Sequence, residues 1–200
     1  SQDLSQYKVE EGFLKEKNEM IIVDIEAIHA ILTGNYTRFT SDELIGDREK
    51  KTGVHSWTYP YNKPLLTHHN QYNGEPIGRI IDAEFSENTL AGLPGIITKA
   101  MVIDEEAIEK VRDGRYQTVS IGAGAGVATC SICGQDWVSE GYCGHYPGNV
   151  YEDEVAEIIL GDIEFKELSF VNVPADQYAG TIKDSIVSVM QAKGSTVSVG

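Results

Sequence analysis

Apolar and polar residues alternate over residues 19–30 (EMIIVDIEAIHA), and this period of two constrains the fold more than any other feature of the chain. Ile21, Val23 and Ile25 fall on one face; Ile22, Asp24 and Glu26 fall on the other. Successive strand side chains point to opposite faces, so the segment reads as a half-buried strand. Residues 115–122 (RYQTVSIG) repeat the pattern, with Tyr116, Thr118 and Ser120 opposed to Gln117, Val119 and Ile121, and the run GAGAG at 122–126 is expected to end that strand. A third strand is expected over residues 162–173, stopped by Pro174, and a short one at Leu65-Leu66-Thr67, entered through an ordered loop around residues 56–63.

Helical signals are fewer. Thr40 or Ser41 can cap a short helix through residues 42–45 that stops near Gly46. Residues 104–114 read as a complete helix: Asp104 caps it, acids fill the first turn, Lys110 and Arg112 occupy the last, and Gly114 stops it. Ala107, Ile108 and Val111 form its buried stripe. Ile182, Ile186, Val189 and Met190 recur at helical spacing and predict a last helix closed by Lys193-Gly194. Strands outnumber helices, so the fold class is α+β with a mostly antiparallel sheet. The organisation expected is a polar lead-in over 1–18, a core over 19–180 with a cysteine-rich insert at 127–150, and a helix and tail over 181–200.

The 200 residues carry 16 Lys+Arg against 31 Asp+Glu, a formal net charge of −15. Groove binding to nucleic acid depends on neutralising phosphates with Lys and Arg, so direct nucleic-acid binding is not expected. The longest aliphatic run, Met20 to Val23, is far short of the roughly 20 residues that span a bilayer, and the polar start lacks a signal-peptide apolar region. A soluble chain that meets proteins or small molecules is expected.

All three cysteines fall within fourteen residues: Cys130-Ser131-Ile132-Cys133, then Cys143-Gly144-His145. Zinc favours four soft or borderline ligands in a tetrahedron, and a C-x2-C turn presents two thiolates to one ion. Cys143 and His145 would complete a Cys3His site. With four protein ligands no position is left for water, so such a zinc is structural. The alternative is three unrelated cysteines, or one disulfide and a leftover thiol; the single residue between Cys143 and His145 is tighter than usual finger spacing.

Three further features carry chemistry. His68 and His69 stand together before Asn70, and on a strand they would point to opposite faces. Ser120 is followed two residues on by Gly122, where backbone N–H groups could approach an acyl oxygen, although the G-x-S-x-G elbow of α/β-hydrolases is absent. Strict alternation places Glu167 on the face of Ile163, Phe165, Val171 and Val173. A carboxylate on an apolar face must be paired, neutralised, or rotated away by a bulge, and the apolar phase does move to Leu168 and Phe170.

Taken in order, these pieces resemble the prohead proteases of tailed bacteriophages, serine peptidases of head maturation related in fold to herpesvirus assemblin. The resemblance rests on Lys63-Pro64-Leu65-Leu66-Thr67-His68-His69-Asn70, Glu75-Pro76-Ile77-Gly78-Arg79, the helix ending Arg112-Asp113-Gly114, Thr118-Val119-Ser120-Ile121-Gly122, and Glu167-Leu168-Ser169-Phe170-Val171 with Pro174-Ala175-Asp176. It covers about residues 18–180. Each motif is weak alone, but the ordered set is specific, and some members of that family also carry a Cys/His insert between the last two strands.

The resemblance implies a barrel-like antiparallel core with flanking helices, Ser120 as nucleophile, His69 as base because it directly precedes Asn70, and Glu167 as third member. His68 competes for the base and Asp82 for the third role. The reaction implied is acyl transfer through an acyl-enzyme. The substrates implied are the phage scaffold protein, the N-terminal segment of the major capsid protein, and the protease itself, all cleaved inside the immature capsid. A homo-oligomer is compatible with this reading. The rival from another class is a catalytically silent capsid-interior or scaffolding module that uses its zinc knuckle to bind protein.

Overall fold

The computed structural model describes residues 19–190. The polar lead-in over 1–18 and the helix stop at Lys193-Gly194 lie outside the described residues. In chain order the elements are β1 (Glu19–His29), β2 (Thr37–Arg38), α1 (Ser41–Ile45), β3 (Pro64–Thr67), β4 (Gly78–Ser86), β5 (Gly95–Val102), α2 (Glu105–Arg112), β6 (Val119–Cys130), β7 (Val150–Tyr151), β8 (Glu154–Val155), β9 (Ile158–Phe170), β10 (Gly180–Thr181) and β11 (Val187–Met190). Among the described residues no helix is long and apolar enough to cross a membrane.

One large sheet runs in the order β10-β1-β5-β4-β3-β9-β2, with β11 also on β1 and β6 also on β9. Its pairs are antiparallel except β2 with β9 and β3 with β9. The sheet curls until its ends meet: Thr118 bridges Gly180, Val119 N–H donates to Ala179 O at 3.3 Å, and Thr181 N–H donates to Gln117 O at 2.9 Å. The α+β class, with a curled half-barrel sheet that is mostly antiparallel, therefore describes the fold.

The core lies inside the curl. Ile21, Val23 and Ile25 of β1, Val119 of β6, and Phe165 and Leu168 of β9 are all fully buried, as the alternation of β1 requires. Trp57 stacks on Phe165 with centroids 4.5 Å apart, closing one side. α2 packs Ala107, Ile108 and Val111 inward, and Asp104 accepts the Ala107 N–H at 2.7 Å as its N-cap. α1 follows Thr40 and ends at Gly46, whose φ of 67° suits glycine.

Three features depart from the sequence reading. The GAGAG run does not end β6 but lies within it, because Gly122 and Gly126 leave room for the Glu167 and Asp162 side chains of β9. The last segment is not a helix: after a 3-10 turn at Lys183–Ser185 it extends as β11 against residues 19–22 of β1. The β-branched run Ile186, Val187 and Val189 favours an extended backbone, and an open length of β1 offers it hydrogen bonds. The β4–β5 hairpin was not assigned from sequence, although Ile96, Thr98, Ala100 and Val102 alternate inward along β5. Beyond these, β6 and β9 stay paired out to Cys130 and Ile158, and the β7–β8 ribbon lies in the residues between them.

Candidate active site and metal centre

β3 lies beside the last residues of β9, and the chain then turns sharply at His68 and His69. Neither residue is on a strand. Both have left-handed backbones, φ 55° and 54°, so the expectation that they point to opposite strand faces does not apply. Left-handed backbone costs a non-glycine residue roughly 1–2 kcal/mol. Two bonds to β9 hold it: His68 N–H donates to Phe170 O, and His69 N–H donates to Ser169 Oγ, each at 3.1 Å.

The same edge of β9 brings up Glu167. In the β6–β9 ladder Gly122 faces Glu167 but Ala123 faces Phe165, so Lys166 is the extra residue of a bulge. The bulge flips the phase: Ile163 and Phe165 point into the core before it, and Leu168 and Phe170 do so after it. Glu167 thereby leaves the apolar face. Its Oε1 lies 2.6 Å from His69 Nδ1, and its Oε2 accepts the Ser169 hydroxyl at 2.5 Å. The Glu167 side chain is 2% exposed while that of His69 is 44% exposed, so a sheltered carboxylate supports an accessible ring.

Ser120 enters through register. It faces Ser169 directly across β6 and β9, and directly opposed residues share a face with Cβ atoms roughly 4.5–5.5 Å apart. Ser120, Ser169, Glu167 and Gly122 thus lie on one side of the hairpin, against the turn that carries His69. Among the described residues neither the Ser120 hydroxyl nor His69 Nε2 has a hydrogen-bond partner. Ser120 and His69 both line a groove of about 580 Å³. A second groove of about 790 Å³ opens on the other side of His69, with Arg79, Lys166 and Tyr72 among its walls. Asp82 is not brought to this place: it is exposed on β4 and lines a separate cavity with Asp24 and Lys99. His68 contributes only its backbone.

The cysteine cluster closes the far end of the same hairpin. Cys130 is the last residue of β6; glycines with positive φ at 134 and 144 turn the chain so that Cys133, Cys143 and His145 return to it. The four ligand atoms lie within 4.8 Å of one another. His145 Nδ1 is 3.7 Å from Cys130 Sγ and 3.5 Å from Cys143 Sγ. Tetrahedral bond lengths of about 2.3 Å to sulfur and 2.0–2.1 Å to nitrogen imply a sulfur-to-nitrogen edge of about 3.6 Å, so the spacing fits one ion. All three thiols are free. Desolvation pushes the Cys143 thiol up, but the backbone N–H of His145 and the Trp137 indole N–H, 3.2 Å away, prevail and bring it down to about 6. A thiolate is the form that binds metal.

Two groups escaped the sequence reading. Ser169 ties His69 to Glu167, and its position two residues after Glu167 on the same face was the available signal. Deeper in the fold, His29 is fully buried between Asp176 and Glu26, with its Nδ1 2.8 Å from Asp176 Oδ2 and its Nε2 3.0 Å from Glu26 Oε2. No local pattern marks that cluster, because His29 and Asp176 are 147 positions apart.

Compared with family models, curated proteins and solved structures, the chain matches none.

Proposed function

We propose that the chain is a serine endopeptidase of the phage prohead type, with Ser120 as nucleophile, His69 as base and Glu167 as the group that orients it. The observation that carries this reading is the His69–Glu167 pair seated beside Ser169, the strand partner of Ser120. Glu167 accepts a hydrogen bond from the His69 Nδ1–H, which leaves Nε2 as the basic nitrogen. His69 then removes the Ser120 hydroxyl proton as Oγ attacks the peptide carbonyl. The imidazolium returns that proton to the leaving amine, and water activated by the same ring releases the acyl group. The scaffold protein, the N-terminal segment of the capsid protein and the protease itself are the proposed substrates, cleaved inside the prohead. A serine-directed phosphonate should attach covalently to Ser120 in the folded chain and fail to attach to Ser120→Ala. Absence of labelling in a folded wild-type protein would favour the silent capsid-interior module.

Gly122 gives this reading a second test. A Cβ there would meet Glu167 Cγ at 2.8 Å and Cδ at 3.0 Å, so an alanine must push the carboxylate off its place. Overpacking of this kind costs roughly 1–3 kcal/mol, which the fold can absorb. A displacement of about 1 Å can lower turnover on the order of 10²-fold. Gly122→Ala is therefore expected to melt as a folded protein yet lose most of its peptidase rate; unchanged kcat would detach Glu167 from the mechanism.

Cys130, Cys133, Cys143 and His145 are proposed to hold a structural zinc. It would supply cross-linking energy to a loop too small for a core of its own, and take no part in bond cleavage. Elemental analysis should find about one zinc per chain, lost in Cys133→Ser and on treatment with a strong chelator, with a fall in melting temperature. Metal-free protein with an unchanged melting curve would overturn the assignment.

A further inference from the structure

His29 is buried to 0% with no role in the chemistry above, yet each of its polar atoms has a partner. Its backbone N–H and its Nδ1 both reach Asp176 Oδ2, each at 2.8 Å. Its Nε2 lies 3.0 Å from Glu26 Oε2 and 3.1 Å from Thr89 Oγ1. Glu26 in turn accepts the Leu90 N–H, and Asp176 accepts the Tyr178 N–H at 3.0 Å. Three elements therefore converge on one ring: the end of β1, the β4–β5 turn, and the segment that follows β9. That last segment is not remote from the proposed site. Val173, Pro174, Ala175 and Asp176 form one wall of the groove that holds Ser120 and His69, and Gly34 N–H fastens the opposite wall to Ala175 O at 2.8 Å.

We infer that His29 is a positioning residue which, as an imidazolium held between Glu26 and Asp176, clamps the wall of the substrate groove at residues 173–176 to the body of the sheet. The inference rests on the peptidase reading for its link to substrate, but the clamp itself can be measured without activity. Only the doubly protonated ring can donate to both carboxylates. A neutral ring keeps one N–H, so it turns a lone pair toward a buried carboxylate at the other end, and an unpaired buried charge is costly. The titratable groups facing the ring are Glu26 from β1 and Asp176 and Tyr178 from the segment after β9, the last with its ring edge-on at 6.1 Å. Burial opposes the charged ring, but Asp176 and then Glu26 outweigh it and raise its pKa above the ordinary 6.5.

The sign follows from that direction. A raised folded-state pKa gives stability that is fully present below the unfolded value near 6.5 and is lost as pH rises through the folded value. The wall is thus held most firmly below about 6.5 and loosens as pH rises above that value.

The test is amide hydrogen exchange on the full chain, with peptide kinetics alongside. His29→Gln keeps a donor and an acceptor but no charge. It should speed exchange at residues 88–92 and 173–178 by roughly ten- to a hundredfold, the range for losing a hydrogen bond to a charged group, while β1 and β5 stay protected. KM should rise with kcat nearly kept, since Ser120, His69 and Glu167 are untouched. If wild-type protein shows no peptidase activity or phosphonate labelling, the peptidase reading fails and the exchange result still judges the clamp. If His29→Gln does not fold, the wild type at increasing pH decides: exchange that accelerates first at 88–92 and 173–178 supports the clamp. Exchange and KM unchanged in a folded His29→Gln, or uniform acceleration with pH in the wild type, would overturn it.

Discussion

Ser120→Ala is expected to lower turnover of a scaffold-derived peptide on the order of 10⁶-fold, the scale of losing the nucleophile of a serine protease, and to end self-cleavage on storage. The fold should hardly notice. Among the described residues the Ser120 hydroxyl has no partner, and a small half-buried side chain without one falls among substitutions usually within about 0.5 kcal/mol. The control is Ser169→Ala. Ser169 is fully buried and bonded to both Glu167 and the His69 backbone, so it cannot be the attacking group, but its loss should loosen the turn that carries the base. Kinetics from matched preparations of both variants check this. A Ser120→Ala protein that still cleaves the peptide at the wild-type rate would remove Ser120 from the mechanism.

The second large effect is expected from Glu167→Gln, with a loss in kcat up to roughly 10⁴-fold, as when an orienting carboxylate is replaced and the wrong tautomer results. A glutamine amide can donate to Nδ1, which drives the remaining proton to Nε2 and leaves no base facing Ser120. Asp82→Asn should be nearly silent, because Asp82 lies in a different cavity beside Lys99. Measuring both on one peptide separates them: near-wild-type turnover for Glu167→Gln reduces the site to a Ser–His dyad, and a loss only in Asp82→Asn moves the orienting role to β4.

Local chemistry made part of this fold legible. β1 shows its alternation, and α1 and α2 carry their caps and stops in the sequence, because each signal is contained within a dozen residues. β11 misled for the same reason: Ile182, Ile186 and Val189 stand at helical spacing, but the hydrogen bonds that decide the matter come from β1, far away in sequence. The GAGAG run looked like a terminator because glycine weakens a strand; what it accommodates is side chains of β9, and those are visible only once the two strands are in register. The site divides likewise. Ser120, His69 and Glu167 came from an ordered resemblance together with a phase shift near Leu168 that hinted at the bulge. The His29 cluster, assembled from β1, the β4–β5 turn and the segment after β9, had no counterpart in any local pattern.

The β6–β9 hairpin carries Ser120 and Glu167 at one end and Cys130 at the other, ten residues further along β6, or about 33 Å at strand rise. At that distance the cysteine cluster cannot touch Ser120. A slip of one residue between two strands turns every side chain to the opposite face, and along β6 such a slip would set alanine or a larger residue where Gly122 and Gly126 make room for Glu167 and Asp162. Cys130 ends β6 and the other three cluster residues lie in the connection between the two strands, so the cluster closes that connection, while the register is held by the Glu167 and Asp162 side chains seated over Gly122 and Gly126; it is this register that presents Ser120 and Glu167 on the same side as His69.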